Sequence, residues 1–226
     1  MHRFESRSSI QLIFVLTAQL GVQSALACQT SAPCANSGGA RSITLTSQAL
    51  GVVDPDHDDA YLYRLPYGDA VSFPVLQGYG AKLSHRGAEE FTVDFGMPEG
   101  TLVHAAREGI VIGVEETHEQ ACWASGCGDF ANFVAVLHAD GTTGEYYHLA
   151  RESVLVEVGD SVARGQVLAR SGNTGYTTVP HLHFGVYRAA HGGSSQSISV
   201  RFTTRSGIVL EPRTGARYLN RGQTAE

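Results

Sequence analysis

The sequence predicts a mainly β protein with antiparallel strands, and three features carry that expectation. Its 26 glycines far outnumber its 7 prolines, and they separate apolar runs too short for a helical bundle. Alternation with a period of two recurs, as in Phe91-Thr92-Val93-Asp94-Phe95, which suits a strand whose successive side chains face opposite ways. Asp140-Gly141 lies between two apolar runs, where a hairpin needs residues that tolerate positive φ. With 226 residues, 42% of them hydrophobic, the chain can bury one substantial core.

Residues 1–27 read as an export signal: Arg3 and Arg7, an apolar run from Ile10 to Val22, then Ala25-Leu26-Ala27 as a small-x-small cleavage site. The apolar run is too short and interrupted to span a bilayer comfortably. Cys28 follows directly, so lipidation there is an alternative, although Ala25 stands where a lipid-attachment signal usually has Leu. Residues 28–42, rich in Ser, Ala, Gly and Asn, read as a flexible leader. The four cysteines fall into close pairs, Cys28 with Cys34 and Cys122 with Cys127. Two local disulfides in a periplasmic or secreted protein are the simplest account of that spacing. A net charge of −6 without a basic cluster argues against nucleic acid as a partner.

Residues 43–72 are expected to form an N-terminal β extension. Within it, the acidic run Asp54 to Asp59 lacks the Gly and closing Glu of a calcium loop and reads as a solvated turn. Pro74 assigns Val71 to Tyr79 to a sheet edge. Further strands are expected at 91–95, 102–114, 132–138, 144–149, 154–158 and 165–169, with a terminal hairpin over 197–210. Residues 73–190 form the central domain, and 191–226 a C-terminal hairpin and tail.

The chemistry-bearing residues are histidines and one framed carboxylate. In Val179-Pro-His-Leu-His-Phe184, strand alternation puts His181 and His183 on one face and Leu182 and Phe184 on the other. Tyr146 and His148 share a face by the same rule. A bare His-x-His is more often a surface pair, but here His85, Asp94 and His148 are available as well, and imidazoles plus a carboxylate form a ligand set that zinc accepts. His57, His104, His118, His138 and His191 fall in no such pattern and read as surface or structural.

Taken in order, His85…Asp94-Phe95-Gly96-Met97-Pro98-Glu99-Gly100-Thr101, Tyr147-His148-Leu149, Gly159-Asp160-x-Val162-x-x-Gly165-Gln166 and Ser171-Gly172-Asn173-Thr174-Gly175…Pro180-His181-Leu182-His183-Phe184 resemble the lysostaphin-type (LytM-like) zinc endopeptidases of bacterial cell walls. The resemblance implies an antiparallel β-sheet groove fold of the duplicated hybrid motif, barrel-sandwich-like type. It implies Zn2+ held by His85, Asp94 and His183, with His148 and His181 as catalytic residues that manage the proton and the developing oxyanion. It also implies a peptidoglycan substrate and a hydrolytic reaction by metal-activated water. Two departures stand out: His85 precedes Asp94 by a longer stretch than in many members, and Val179 stands where Gly usually precedes Pro-His-Leu-His. Glu89 and Glu90 in that longer stretch, and the Cys122–Cys127 loop, are candidates for groove walls or a lid. Tyr79 and Asn173 are further candidates for substrate contacts, each with an ordinary structural alternative.

The competing reading is a non-catalytic relative that binds the wall or activates another hydrolase. The complete ligand set and both additional histidines favour the enzyme. A biotinyl or lipoyl carrier, suggested by the Gly159 to Gln166 hairpin, needs a lysine at its tip, and the single lysine is Lys82. A monomer without a membrane span after signal cleavage is expected.

Overall fold

The computed structural model describes residues 60–189 and 195–221. The expectations for the export signal, the leader, residues 43–59 of the N-terminal β extension with the acidic run, the Cys28–Cys34 pair, His57 and His191 lie outside the described residues. In chain order the strands are β1 (Leu62–Arg64), β2 (Ser72–Gln77), β3 (Thr92–Phe95), β4 (Leu102–His104), β5 (Gly109–Glu115), β6 (Ala121–Cys122), β7 (Phe133–Leu137) and β8 (Thr143–Tyr147). They continue as β9 (Ser161–Val162), β10 (Val167–Arg170), β11 (Gly175–Tyr176), β12 (Leu182–Ala189), β13 (Ser195–Ser197), β14 (Arg201–Thr204), β15 (Gly207–Val209) and β16 (Arg217–Leu219). Two 3-10 turns, Gly87–Glu89 and Cys127–Phe130, are the only helical pieces among the described residues.

The principal sheet runs β16-β2-β3-β12-β8-β7-β5-β9, with β13 paired to the far end of β12. Every one of its pairings is antiparallel. Smaller ladders join β4 to β10 and β14 to β15 antiparallel, and β1 to β14 and β6 to β11 parallel.

Register divides the sheet into two faces. Phe184 on β12 stands opposite Val93 on β3 and Tyr146 on β8, and these three are at most 1% exposed, in the core with Phe95, Leu182, Val134 and Phe202. Tyr146 packs its ring 5.0 Å from that of Phe184 and accepts a hydrogen bond from the Ala106 amide at its hydroxyl, so its polar end is satisfied where water cannot reach. The opposite face carries His183, Asp94 and Tyr147 across three neighbouring strands. The core face anchors the sheet by apolar burial, and that anchoring aims the other face.

Two expectations need correction. Pro74 does not mark an edge, because β2 lies between β16 and β3. The ladder with β3 begins at Val75, so the N–H that proline lacks falls beyond the register, while the Pro74 carbonyl still accepts from the Gly96 amide at 2.8 Å. The segment 154–158 is not a strand. Its Leu155 amide donates to the Leu168 carbonyl and its Glu157 carbonyl accepts from the Asp160 amide, without forming a ladder.

The Asp140-Gly141 signal marks the β7–β8 hairpin, with Gly141 at φ 76°. Asp140 also holds a buried ion pair, its Oδ2 accepting from Arg107 at 2.5 Å with both side chains under 10% exposed. The Thr142 amide and hydroxyl both donate to its Oδ1. Burial works against this charge, yet the Thr142 and Arg107 hydrogen bonds outweigh it and hold the carboxyl below its usual range. Asp140 therefore stabilises the fold fully above its unfolded pKa of about 3.9, and that contribution is lost as pH falls through the lower folded value. Asp140→Asn keeps an oxygen for Thr142 and leaves the Arg107 charge buried, so chemical denaturation at neutral pH should show a loss of about 3–5 kcal/mol.

Candidate active site

His183 sits on β12 with Asp94 directly opposite on β3 and Tyr147 directly opposite on β8. Residues so paired put their side chains on one face, and the His183 Nδ1 lies 2.8 Å from Asp94 Oδ1. His85 comes from the loop before the first 3-10 turn and is wholly buried. Its Nδ1 lies 3.0 Å from the Gly78 carbonyl, which only a protonated Nδ1 can satisfy, so the lone pair is left on Nε2. That Nε2 lies 3.2 Å from Asp94 Oδ1 but makes no hydrogen bond there or elsewhere. A buried imidazole nitrogen with a free lone pair is the mark of a ligand whose partner is an ion.

Gln77 on β2 steadies the other side of this group. Its Nε2 donates to Asp94 Oδ2 at 2.7 Å and to Ser84 Oγ at 2.9 Å, tying the loop that carries His85 to the carboxylate. One ligand atom each from His85, Asp94 and His183 can be drawn within 4.8 Å of one another. Two neutral nitrogens and one carboxylate oxygen in a partly open cluster fit a divalent metal of the zinc type, with a position left for water. Without a metal, burial opposes ionisation of Asp94, but the His183 hydrogen bond and the neighbouring His85 and His181 imidazoles outweigh it and hold the carboxyl well below the usual range.

His148 corrects the simple alternation. Continued from Tyr146 it would face the core, but its φ of 64° is left-handed and ends β8 at Tyr147. This single backbone turn places its ring 4.5 Å from that of His181 and 6.0 Å from that of His183. The His148 Nδ1 donates to the Thr174 carbonyl at 2.6 Å. His181 is held in the same manner: its Nδ1 lies 2.8 Å from the Val179 carbonyl, with Thr177 Oγ1 at 3.2 Å, and its Nε2 reaches to 3.7 Å from Asp94 Oδ1. Each ring is 8% exposed as a residue, with Nε2 as its basic nitrogen.

Gly172 lets the two histidine-bearing segments meet. It bridges His181, and its amide donates to the His148 carbonyl at 2.8 Å. A Cβ there would lie 2.5 Å from the Ala150 nitrogen, so no larger residue fits without moving the backbone.

The structure thus brings together His85, Asp94, His148, His181 and His183. Asn173 joins them indirectly, its Oδ1 accepting from the Thr177 hydroxyl beside His181. Tyr79 does not: its hydroxyl bonds the Val200 backbone and its ring packs edge-on against Phe91. The Cys122–Cys127 disulfide is formed, and β6 beside it pairs with β11, next to the Thr174 carbonyl that holds His148. Trp123 within the disulfide loop stacks on Tyr176 at 4.1 Å.

Glu145 and Tyr187, which carry no sequence motif, also reach this face, as does Tyr147 of the Tyr147-His148-Leu149 segment. The Tyr147 hydroxyl donates to Glu145 at 2.7 Å and the Tyr187 hydroxyl to Glu89 at 2.5 Å. Alternation along β12 from His183 to Tyr187 was the available signal for one of them. Burial raises Glu145 to about 7 despite the Tyr147 hydrogen bond.

Against known proteins, residues 89–197 match the family model described as peptidase family M23; His85 lies just before the matched stretch. The glycyl-glycine endopeptidase ALE-1 of Staphylococcus capitis is 38% identical over 109 residues, which are 47% of this chain and 27% of that protein. Lysostaphin of Staphylococcus simulans is 38% identical over 109 residues, 47% of this chain and 20% of the relative. The peptidoglycan DD-endopeptidase ShyA of Vibrio cholerae serotype O1 is 37% identical over 91 residues, 40% of this chain and 18% of the relative. The chain spans less than a third of the length of each. Residues 89–197, which carry Asp94 and His183 on the β3–β12 ladder and His148 and His181 beside it, are a peptidase family M23 domain.

Proposed function

We propose that the protein is an exported zinc endopeptidase that hydrolyses peptide bonds in bacterial cell-wall peptidoglycan, in crosslinks or stem peptides. The observation that carries this reading is the convergence of the His85, Asp94 and His183 ligand atoms within 4.8 Å beside two more histidines with free Nε2 atoms. The relatives named for glycyl-glycine and DD-endopeptidase activity support the substrate class while differing in the bond cut. Export is supported by the signal-like residues 1–27 and by the disulfide.

His85, Asp94 and His183 would hold the zinc. Bound there, zinc supplies Lewis acidity, bringing the pKa of water from about 15.7 to roughly 7. The residues do the remaining work. His181 Nε2, nearest the ligand set, takes the proton of the attacking water and returns it to the amine as the C–N bond breaks. His148, its ring against that of His181 and its Nδ1 held by the Thr174 carbonyl, keeps a neutral Nε2 that accepts a hydrogen bond from the attacking water and orients it. The backbone carbonyls of Val179 and Thr174 fix both rings, so neither has to be oriented during the reaction.

Metal analysis should find about one zinc per chain, lost in His183→Ala and Asp94→Ala. His181→Ala should retain the zinc and lose about 100- to 10,000-fold in rate, read by mass spectrometry of fragments released from purified peptidoglycan. Retained metal in both ligand variants, or an undiminished rate for His181→Ala, would sink the assignment.

A second expectation concerns pH. Burial first, then the His181 and His183 rings, lowers His148 to about 3, so it is neutral at neutral pH. The unfolded chain takes up this proton near pH 6.5, and the folded one only near 3. Stability is therefore fully present above about 6.5 and falls as pH drops toward 3. Between pH 7 and 4 the zinc-free protein should lose on the order of 2–3 kcal/mol more than His148→Asn, compared by urea denaturation. Asn tolerates the left-handed backbone at this position.

A further inference from the structure

The stretch between His85 and Asp94 folds so that the 3-10 turn Gly87–Glu89 delivers a carboxylate to the side of His183 remote from Asp94. His183 Nδ1 faces Asp94, which leaves Nε2 as the outer nitrogen. That atom lies 3.6 Å from Glu89 Oε2 and 3.5 Å from the Tyr187 hydroxyl. Tyr187 in turn donates to the same Glu89 oxygen at 2.5 Å. Glu89 is less than a quarter exposed at its side chain, and Tyr187 is buried at 4%.

Gly185 makes this arrangement possible. It lies between His183 and Tyr187 on the same face of β12, and a Cβ there would stand 2.7 and 2.9 Å from two Tyr187 ring atoms. The bare backbone at 185 therefore admits the Tyr187 ring and leaves it able to reach Glu89. The Thr92 hydroxyl donates to the Glu89 carbonyl at 2.8 Å, fixing the turn from below.

We propose that Glu89, held by Tyr187, is a positioning residue for the metal ligand His183. It accepts the His183 Nε2–H, selects the tautomer whose Nδ1 carries the lone pair, and stops the ring from rotating away from the metal. This inference rests on the zinc reading above. The physics is that of a carboxylate behind a metal-bound imidazole: the hydrogen bond fixes the ring and raises its basicity, and such partners are commonly worth 10- to 100-fold in metal affinity. It also gives the longer His85-to-Asp94 stretch a chemical role beside that of a wall.

Zinc affinity of the full chain, measured by competition with a chromophoric chelator, tests the proposal without any activity assay. Glu89→Ala should bind zinc about 10- to 100-fold more weakly and Tyr187→Phe should weaken it by a smaller factor, while the exposed neighbour variant Glu90→Ala stays at the wild-type value. Glu89→Gln, which keeps an accepting oxygen, should recover part of the loss. In zinc-loaded protein labelled with 15N at histidine, the His183 Nε2–H resonance should be slow to exchange with water in the wild type and fast in Glu89→Ala. Zinc affinity within about threefold of wild type in both Glu89→Ala and Tyr187→Phe, with a protected Nε2–H, overturns the proposal while leaving the metal site intact. Wild-type protein that binds no zinc, or His183→Ala that binds it undiminished, overturns the metal site and this proposal with it. Equal weakening in Glu90→Ala would overturn it too, because the effect would then come from the turn as a whole.

Discussion

The pairing of Asp94 on β3 with His183 on β12 is the constraint on which the rest of the site depends. A strand has a side-chain period of two, so a slip of one residue in this ladder would carry both groups into the core and bring Val93 or Phe184 out. The apolar partners on the opposite face oppose that slip: Phe184, Val93 and Tyr146 are at most 1% exposed, and each such side chain contributes about 1.5–3 kcal/mol by leaving water. Register is therefore set by burial on one face and used by chemistry on the other. The same ladder places Tyr147 opposite His183 and Glu145 opposite Gly185, which completes the polar face without any further local signal.

Around that pair, backbone carbonyls settle the protonation pattern of the rings. Gly78, Thr174 and Val179 take up the Nδ1 atoms of His85, His148 and His181 respectively, and each leaves Nε2 directed to the cluster. His183 is reversed, with Nδ1 inward and Nε2 outward. Carbonyl groups accept and never donate, so three tautomers follow from main-chain geometry alone. The reversed ring has no carbonyl on its outer nitrogen, and side chains from the inserted turn and from β12 itself stand there instead. Burial suits this design at His148 and His181, where it holds the imidazoles below their usual range and keeps their lone pairs available at neutral pH.

Much of this was legible beforehand because the relevant information is local. His181, Leu182, His183 and Phe184 sort to two faces by pleating, and the hairpin at Asp140-Gly141 follows from turn chemistry. The inner position of Pro74 was not legible, since it depends on where the ladder with β3 begins. Nor was the turning of His148: its left-handed backbone is held by the Gly172 amide and its ring by the Thr174 carbonyl, which lie more than twenty residues away in the chain. Tyr79 illustrates the converse, an aromatic residue near the site in sequence whose hydroxyl is taken up by the distant Val200 backbone.

By itself the sequence determined the residue types, their order and the periodicities: a strand-rich chain, a His-x-His pair, an isolated framed aspartate and a Cys122–Cys127 pair spaced for a disulfide. These depend on steric preferences within a few residues and on chemistry intrinsic to each side chain. Tertiary structure alone decided which nitrogen of each histidine faces the cluster, that His85 Nε2 is buried without a partner, and that Glu89 and Tyr187 stand behind His183. Those outcomes depend on distances between segments up to about a hundred residues apart, and such distances are set by the packing of the whole sheet over its core.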